Sequence, residues 1–135
     1  MKVENALYPT TEQIKALQSD LSPKPIVMLN LLKFRSTAQY PDGRKTDLTG
    51  AQAYAIYAEA MQKIVERAGG KFLFAGDVKH LAVGEVETLW DIAALVEYPS
   101  AAAFVKIAAS PEVAEIGAHR AAGLDGQLLI CVSQR

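Results

Sequence analysis

The sequence predicts an α+β fold, a single antiparallel sheet with helices packed on one of its faces. Three observations point to it. Lys24–Phe34, KPIVMLNLLKF, is a strand apolar at both parities, with Ile26, Met28, Leu32 and Phe34 on one side and Val27, Leu29 and Leu31 on the other. Such a strand has to be covered on both faces. Two later stretches carry apolar residues at helical spacing, and each lies between runs that alternate as strands do. The elements then run strand, helix, strand, strand, helix, strand.

Taken in order, Thr10–Leu21 reads as a short helix, opened by a capping box of Thr10 and Gln13, with Ile14, Leu17 and Leu21 as a narrow apolar stripe. Pro23 and Pro25 end it and lead into the strand Ile26–Phe34. The connection Arg35–Leu48 is long and contains the turn signal Tyr40-Pro41-Asp42-Gly43. It is either a solvated surface loop or a flap over the mouth of a pocket. Thr49 and Gln52 form a second capping box. The helix after it presents Ala53, Ile56, Tyr57, Ala60, Met61 and Ile64 on one face, and Gly69-Gly70 stops it.

Lys71–Val83 is expected to be a long strand with Phe72, Phe74 and Val78 on one parity, and Gly76 within it marks a bulge or a close backbone approach. A reversal at Gly84–Glu87 leads to the strand Leu89–Tyr98, with Trp90, Ile92, Ala94 and Val96 facing one way. Ser100 caps a second helix along Phe104, Ile107 and Ala108, and Ser110-Pro111 restarts it. It closes near Gly123. Leu124–Ser133 is the last strand, where Leu128, Ile130 and Val132 alternate with Leu129 and Cys131.

Without the first helix, this order is the split β-α-β arrangement of ferredoxin-like domains. The chain of 135 residues suffices for one core. One domain is therefore expected over 1–135, with 1–24 a helical extension and 25–133 the ferredoxin-like core. Helices cover only one face of this sheet. The other would expose apolar surface on the order of several hundred Å², at or above what a soluble monomer tolerates. A second copy packed sheet to sheet would cover it, so a homodimer is expected.

The segments VMLNLLKF, YAIYAEAM ahead of GG, WDIAALVEYPSAAAF, SPEVAEIGAHRAAGL and QLLI resemble, in this order, the family catalogued as domain of unknown function 1330. The resemblance covers about Pro25–Ile130. It implies the dimeric α+β barrel superfamily, whose members pair two ferredoxin-like sheets into a barrel. The N-terminal helix and Arg35–Leu48 lie outside the compact family core. Superfamily relatives include cofactor-independent monooxygenases and isomerases, but no residue pattern here matches either chemistry, and no reaction is carried over.

Composition narrows the function classes. The net charge is −1 and Lys and Arg are spread along the chain, so the basic footprint of a nucleic-acid binder is missing. Half the residues are hydrophobic, yet no run is long enough to span a membrane and no leading run reads as a signal peptide. The single Cys131 suits a reducing compartment, and a cytoplasmic location is expected. There is no GxGxxG, no GxxxxGK[ST] and no GxSxG, and His80 and His119 lack partners at metal-ligand spacing. No cofactor is implied.

What remains is a set of polar groups in apolar surroundings. Asn30 interrupts the two-sided apolar strand and is either a structural amide satisfied by a neighbour or a buried water, or a pocket donor that orients a ligand carbonyl or hydroxyl. Tyr57 belongs to the apolar stripe of the main helix, so its hydroxyl points at the cleft between sheet and helices. His119 and Arg120 follow Ile116 by three and four positions, which turns at least one of them inward. The histidine would serve as acid or base and the arginine would hold a carboxylate; alternatively Arg120 pairs with Glu97 or Asp91. Trp90 either fills the core or stacks on a ligand, and Cys131 reads as a small buried residue. Two functions stay open. One is a binder or enzyme for a small organic molecule, with Asn30, Tyr57, Trp90, His119 and Arg120 around the cleft. The other is a non-catalytic interaction or stress-related dimer whose cleft is filled.

Overall fold

The computed structural model describes residues 1–135. In chain order the elements are α1 (Thr11–Ser19), β1 (Ile26–Phe34), α2 (Gly50–Arg67), β2 (Lys71–Asp77), β3 (Ile92–Tyr98), α3 (Ala101–Ala108), α4 (Pro111–Gly123) and β4 (Leu124–Val132). Both capping boxes form: the Thr10 hydroxyl accepts from Gln13 N while Gln13 Oε1 accepts from Thr10 N, and Thr49 and Gln52 repeat the exchange. Ser100 and Ser110 cap α3 and α4, and Pro111 occupies the first turn, where its missing N–H costs nothing.

The strands form one antiparallel sheet in the order β2-β3-β1-β4. β1 is an inner strand, paired with β3 over Ile26–Leu32 and with β4 over Val27–Phe34, and this is the ferredoxin-like topology expected from the element order. The covered face carries Ile26 and Met28 of β1 with Val96 and Tyr98 of β3, buried in one cluster with Met61, Ile64 and Val65 of α2 and Ile107 of α3, and Leu32 is buried further along β1.

The register places Val27, Leu29 and Leu31 on the opposite face, beside Leu95 and Ala93 of β3 and Leu128, Ile130 and Val132 of β4. Nothing in the chain covers the middle of this face. α1 lies against α3 on the helical side, and Phe74, Ile130 and Val132 stay exposed.

Several expected boundaries move. β2 ends at Asp77 rather than Val83 and β3 begins at Ile92 rather than Leu89, so 78–91 is a connecting loop and Trp90 lies outside the strand. Leu81 and Val83 mimic strand alternation there but are exposed. The bulge of β2 falls at Leu73, because Phe72 pairs with Val96 and Phe74 with Leu95. Phe72 therefore packs into the core while Phe74 turns to the bare face, against their shared parity. Gly76 carries neither the bulge nor a close backbone approach; what lies against it is the Phe74 ring, 2.8 Å from where a Cβ would stand. The helix α1 stops at Ser19, so Leu21 is outside it and exposed, and only Leu17 of its stripe reaches the core. Cys131 is exposed, not buried.

The connection Arg35–Leu48 is not a solvated loop throughout. Ala38 and Tyr40 are buried against Ala53 of α2 and Ala122 of α4, and Ala38 N and Gln39 N donate to Leu48 O and Ala122 O. Its root is a three-way backbone junction. Arg35 N donates to Gly123 O at 2.9 Å, and Gly50 N donates to Arg35 O at 3.1 Å. A Cβ on Gly50 would lie 2.1 Å from Arg35 O, and one on Gly123 would lie 2.4 Å from Gly50 O. Only glycine lets the start of α2 and the end of α4 meet this closely.

Candidate functional site

The covered face of the sheet carries a group of tyrosines. Tyr54 and Tyr57 lie one turn apart on α2, and Tyr98 ends β3 opposite Ile26. The Tyr54 ring lies 5.4 Å from both Phe34 and Tyr57, and Tyr98 meets Phe104 edge-on at 4.9 Å. Burial pushes all three phenols above the ordinary tyrosine range, and the guanidinium of Arg120 pulls Tyr54 and Tyr57 the other way. None of the three hydroxyls makes a hydrogen bond to the protein, yet none is sealed from solvent. Buried rings with unpaired, reachable hydroxyls form a group of hydrogen-bond donors between sheet and helices.

Asn30 sits on the same face, with Ala94 and Leu129 as its cross-strand neighbours. Its Nδ2 donates to Met28 O at 3.2 Å, while its Oδ1 has no protein partner. Leu129 beside it is 40% exposed, so the helices leave the β4 side of this face open.

Arg120 is held from the N-terminal side. It donates to Leu7 O, and its guanidinium lies 5.6 Å from the centre of the Tyr8 ring. Neither Glu97 nor Asp91 pairs with it. Asp91 instead receives Lys33 Nζ at 3.1 Å and Phe34 N at 2.8 Å, tying β1 to the start of β3. Ala6 exchanges two backbone hydrogen bonds with Gln127, which extends the sheet edge by one bridge. Residues 5–8 thus form a strap across the β4 edge that ends on Arg120.

Of the five residues singled out from the sequence, Tyr57 and Arg120 come together, and Asn30 shares their side of the sheet. The other two go elsewhere. His119 Nδ1 meets Tyr40 Oη at 2.7 Å with the rings edge-on, so it anchors the 35–48 segment to α4. Trp90 Nε1 donates to Asn5 Oδ1 at 2.7 Å, so it fastens the strap. Sequence reading missed Tyr54 and Tyr98. Their signals were present, since Tyr54 precedes Tyr57 by three positions and Tyr98 shares the parity of Val96. The strap could not be read, because its partners are more than a hundred residues away in the case of Leu7 and Arg120.

Two cavities border the 35–48 segment and include none of the five. One, of about 360 Å³, is lined by Phe34, Arg35, Ser36, Thr37, Gln39 and Asp125. The other, of about 480 Å³, lies inside the loop itself, from Ala38 to Asp47. In that loop Arg44 stacks 4.5 Å over the Tyr40 ring and grips Asp42, which holds the Asp42 carboxyl below its usual range. No three His, Cys, Asp or Glu side chains gather where they could hold a metal ion, and no helix is long and apolar enough to cross a membrane.

The topology and the one-sided helical cover define a ferredoxin-like α+β protein. Residues 44–133 match the model of a domain of unknown function, DUF1330, and the chain belongs to that family. The match begins inside the 35–48 segment and leaves out α1 and β1. Solved structures extend the likeness further. The RPA0582 protein of unknown function from Rhodopseudomonas palustris superposes with TM-score 0.87 at 34% identity, covering 98% of each chain. The methylated RPA0582 protein gives TM-score 0.88 at 37% identity, over 97% of this chain and 96% of that one. Coverage this complete takes in the N-terminal helix, so the extension is part of a shared structure rather than a local addition. An uncharacterised NIPSNAP-like domain protein from Burkholderia xenovorans shares the fold alone, with TM-score 0.50 at 15% identity over 84% of this chain and 88% of that one. No match is found among curated proteins.

Proposed function

We propose that the protein is a homodimer, each subunit binding a small organic acid in the slot between sheet and helices. The observation that carries the binding reading is the set of three unpaired hydroxyls, of Tyr54, Tyr57 and Tyr98, with the guanidinium of Arg120 acting on the first two. A carboxylate or enolate near Arg120 would gain charge-assisted hydrogen bonds, and carbonyl or hydroxyl groups would take the tyrosine donors. Asn30, with its free Oδ1, would accept from a ligand hydroxyl. The apolar rings supply the walls that a small-molecule site needs. The dimer follows from the uncovered apolar face, whose burial at roughly 25 cal/mol per Å² is worth several kcal/mol.

A second reading rests on the ring contacts of Phe34, Tyr54 and Tyr57, which fill much of the cleft. In that reading the dimer itself is the working unit, as a non-catalytic interaction or stress-related protein. A thermal-shift screen of small organic acids and aromatic metabolites separates the two. Binding in the slot raises the melting temperature, and both Asn30→Ala and Arg120→Gln remove the rise while the dimer persists. A screen without a hit, or a hit indifferent to both substitutions, favours the filled cleft.

A further inference from the structure

The cavity at the end of β1 holds two opposite charges that do not meet. Arg35 makes no ion pair with any carboxylate, and its Nε is buried without a hydrogen-bond partner. It is the one buried side-chain nitrogen or oxygen in the protein left in that state. An unsatisfied donor on a charged group is costly. Nε itself is closed off from solvent, but the two outer guanidinium nitrogens have no hydrogen-bond partner and are not sealed, so they are the ones a ligand in the cavity would meet. Asp125, at the start of β4, lines the same cavity and has no hydrogen bond or ion pair of its own.

The rest of the lining is also polar. Ser36, Thr37 and Gln39 are exposed around the opening, and Phe34 is the single apolar member. The backbone beneath Arg35 is fixed by its bonds to Gly50 and Gly123, so the start of the side chain does not wander. A volume of about 360 Å³ falls at the lower end of the range for small-molecule sites.

We infer that this cavity binds a small zwitterion of the amino-acid class, its carboxylate on the Arg35 guanidinium and its ammonium on the Asp125 carboxylate. A plain dianion such as phosphate fits less well, because Asp125 repels it. A simple amine fits less well, because it leaves Arg35 unfilled. Ser36, Thr37 and Gln39 offer both donors and acceptors to the remaining polar atoms of the ligand. The site borders the tyrosine slot at Phe34, which packs on Tyr54, but neither Tyr57 nor Arg120 lines it.

Saturation-transfer NMR on the intact protein with the twenty L-amino acids, each at millimolar concentration, tests the inference. The best binder is then compared by calorimetry with its decarboxylated amine and its deaminated acid. At least one amino acid is expected to bind, and loss of either charge should weaken it about tenfold or more, as one lost charge-assisted contact would. Asp125→Asn and Arg35→Gln should each weaken it similarly. Asp125 is exposed, so its variant folds even where the Arg35 variant does not. Arg120→Gln should leave this binding unchanged, which separates the failure of this site from failure of the slot. The absence of binding by all twenty overturns the inference. So does equal binding by the deaminated acid, or indifference to Asp125→Asn.

Discussion

The two faces of the central sheet are built from the same kind of residue and meet different fates. On one, the side the helices cover, Ile26, Met28 and Leu32 are 2–5% exposed. On the other, Phe74, Ile130 and Val132 are 42–58% exposed with no element above them. Neighbouring residues of one strand, Met28 and Leu29, thus belong to different problems. Met28 serves the fold of a single chain, whereas Leu29 waits on a surface that one chain does not supply. The polar groups divide in the same way. Asn30 and the tyrosines sit on the covered face, whereas the middle of the bare face is hydrocarbon, with Lys71 and Glu97 at one end and Lys33 at the other.

This contrast can be broken by substitution. Met28→Ala removes a fully buried side chain and should cost about 2–5 kcal/mol at any protein concentration, read by chemical denaturation. Leu29→Ala, one residue on, should act through assembly. Its melting temperature should lose most of the dependence on protein concentration that the parent shows, because linkage to dimerisation is what creates that dependence. If both variants lose stability independently of concentration, the bare face has no partner.

A smaller effect sharpens the picture of the covered face. Tyr54, Tyr57 and Tyr98 have folded-state values raised by burial above the ordinary value of 10. Raised values of a neutral acid mean that the unfolded chain loses these protons first. Stability is therefore untouched by these groups below about pH 10 and falls above it, by up to about 1.4 kcal/mol per pH unit for each tyrosine. Tyr57→Phe should flatten the alkaline limb of a denaturation profile while leaving the neutral region nearly level. An alkaline limb of unchanged slope would mean that the Tyr57 phenol is freely solvated.

Much of the fold was legible because its signals are local. The bounds of β1 follow from its apolar run between Pro25 and a charged loop, and both helix starts follow from threonine-glutamine boxes that close within four residues. The family resemblance was drawn from Pro25 onward, and the family model matches 44–133. What escaped was non-local. The bulge at Leu73 depends on which residue of β3 lies opposite, and no glycine announces it. The pairing of His119 with Tyr40 depends on how the 35–48 segment folds onto α4, and the strap depends on Asn5, Leu7 and Trp90 meeting across the domain. Tyr54 escaped for a different reason: the stripe was drawn through Ala53, Ile56 and Tyr57, and Tyr54 sits at its edge, one position past Ala53.

The most direct test of the two-face account is the mass of the particle in solution, measured by light scattering or sedimentation at micromolar concentration. The parent protein should run at twice the chain mass, and a variant carrying lysine on the bare face, Leu29→Lys, should run as a folded single chain. A parent that stays monomeric at these concentrations, with Phe74 and Ile130 left in water, would contradict the account.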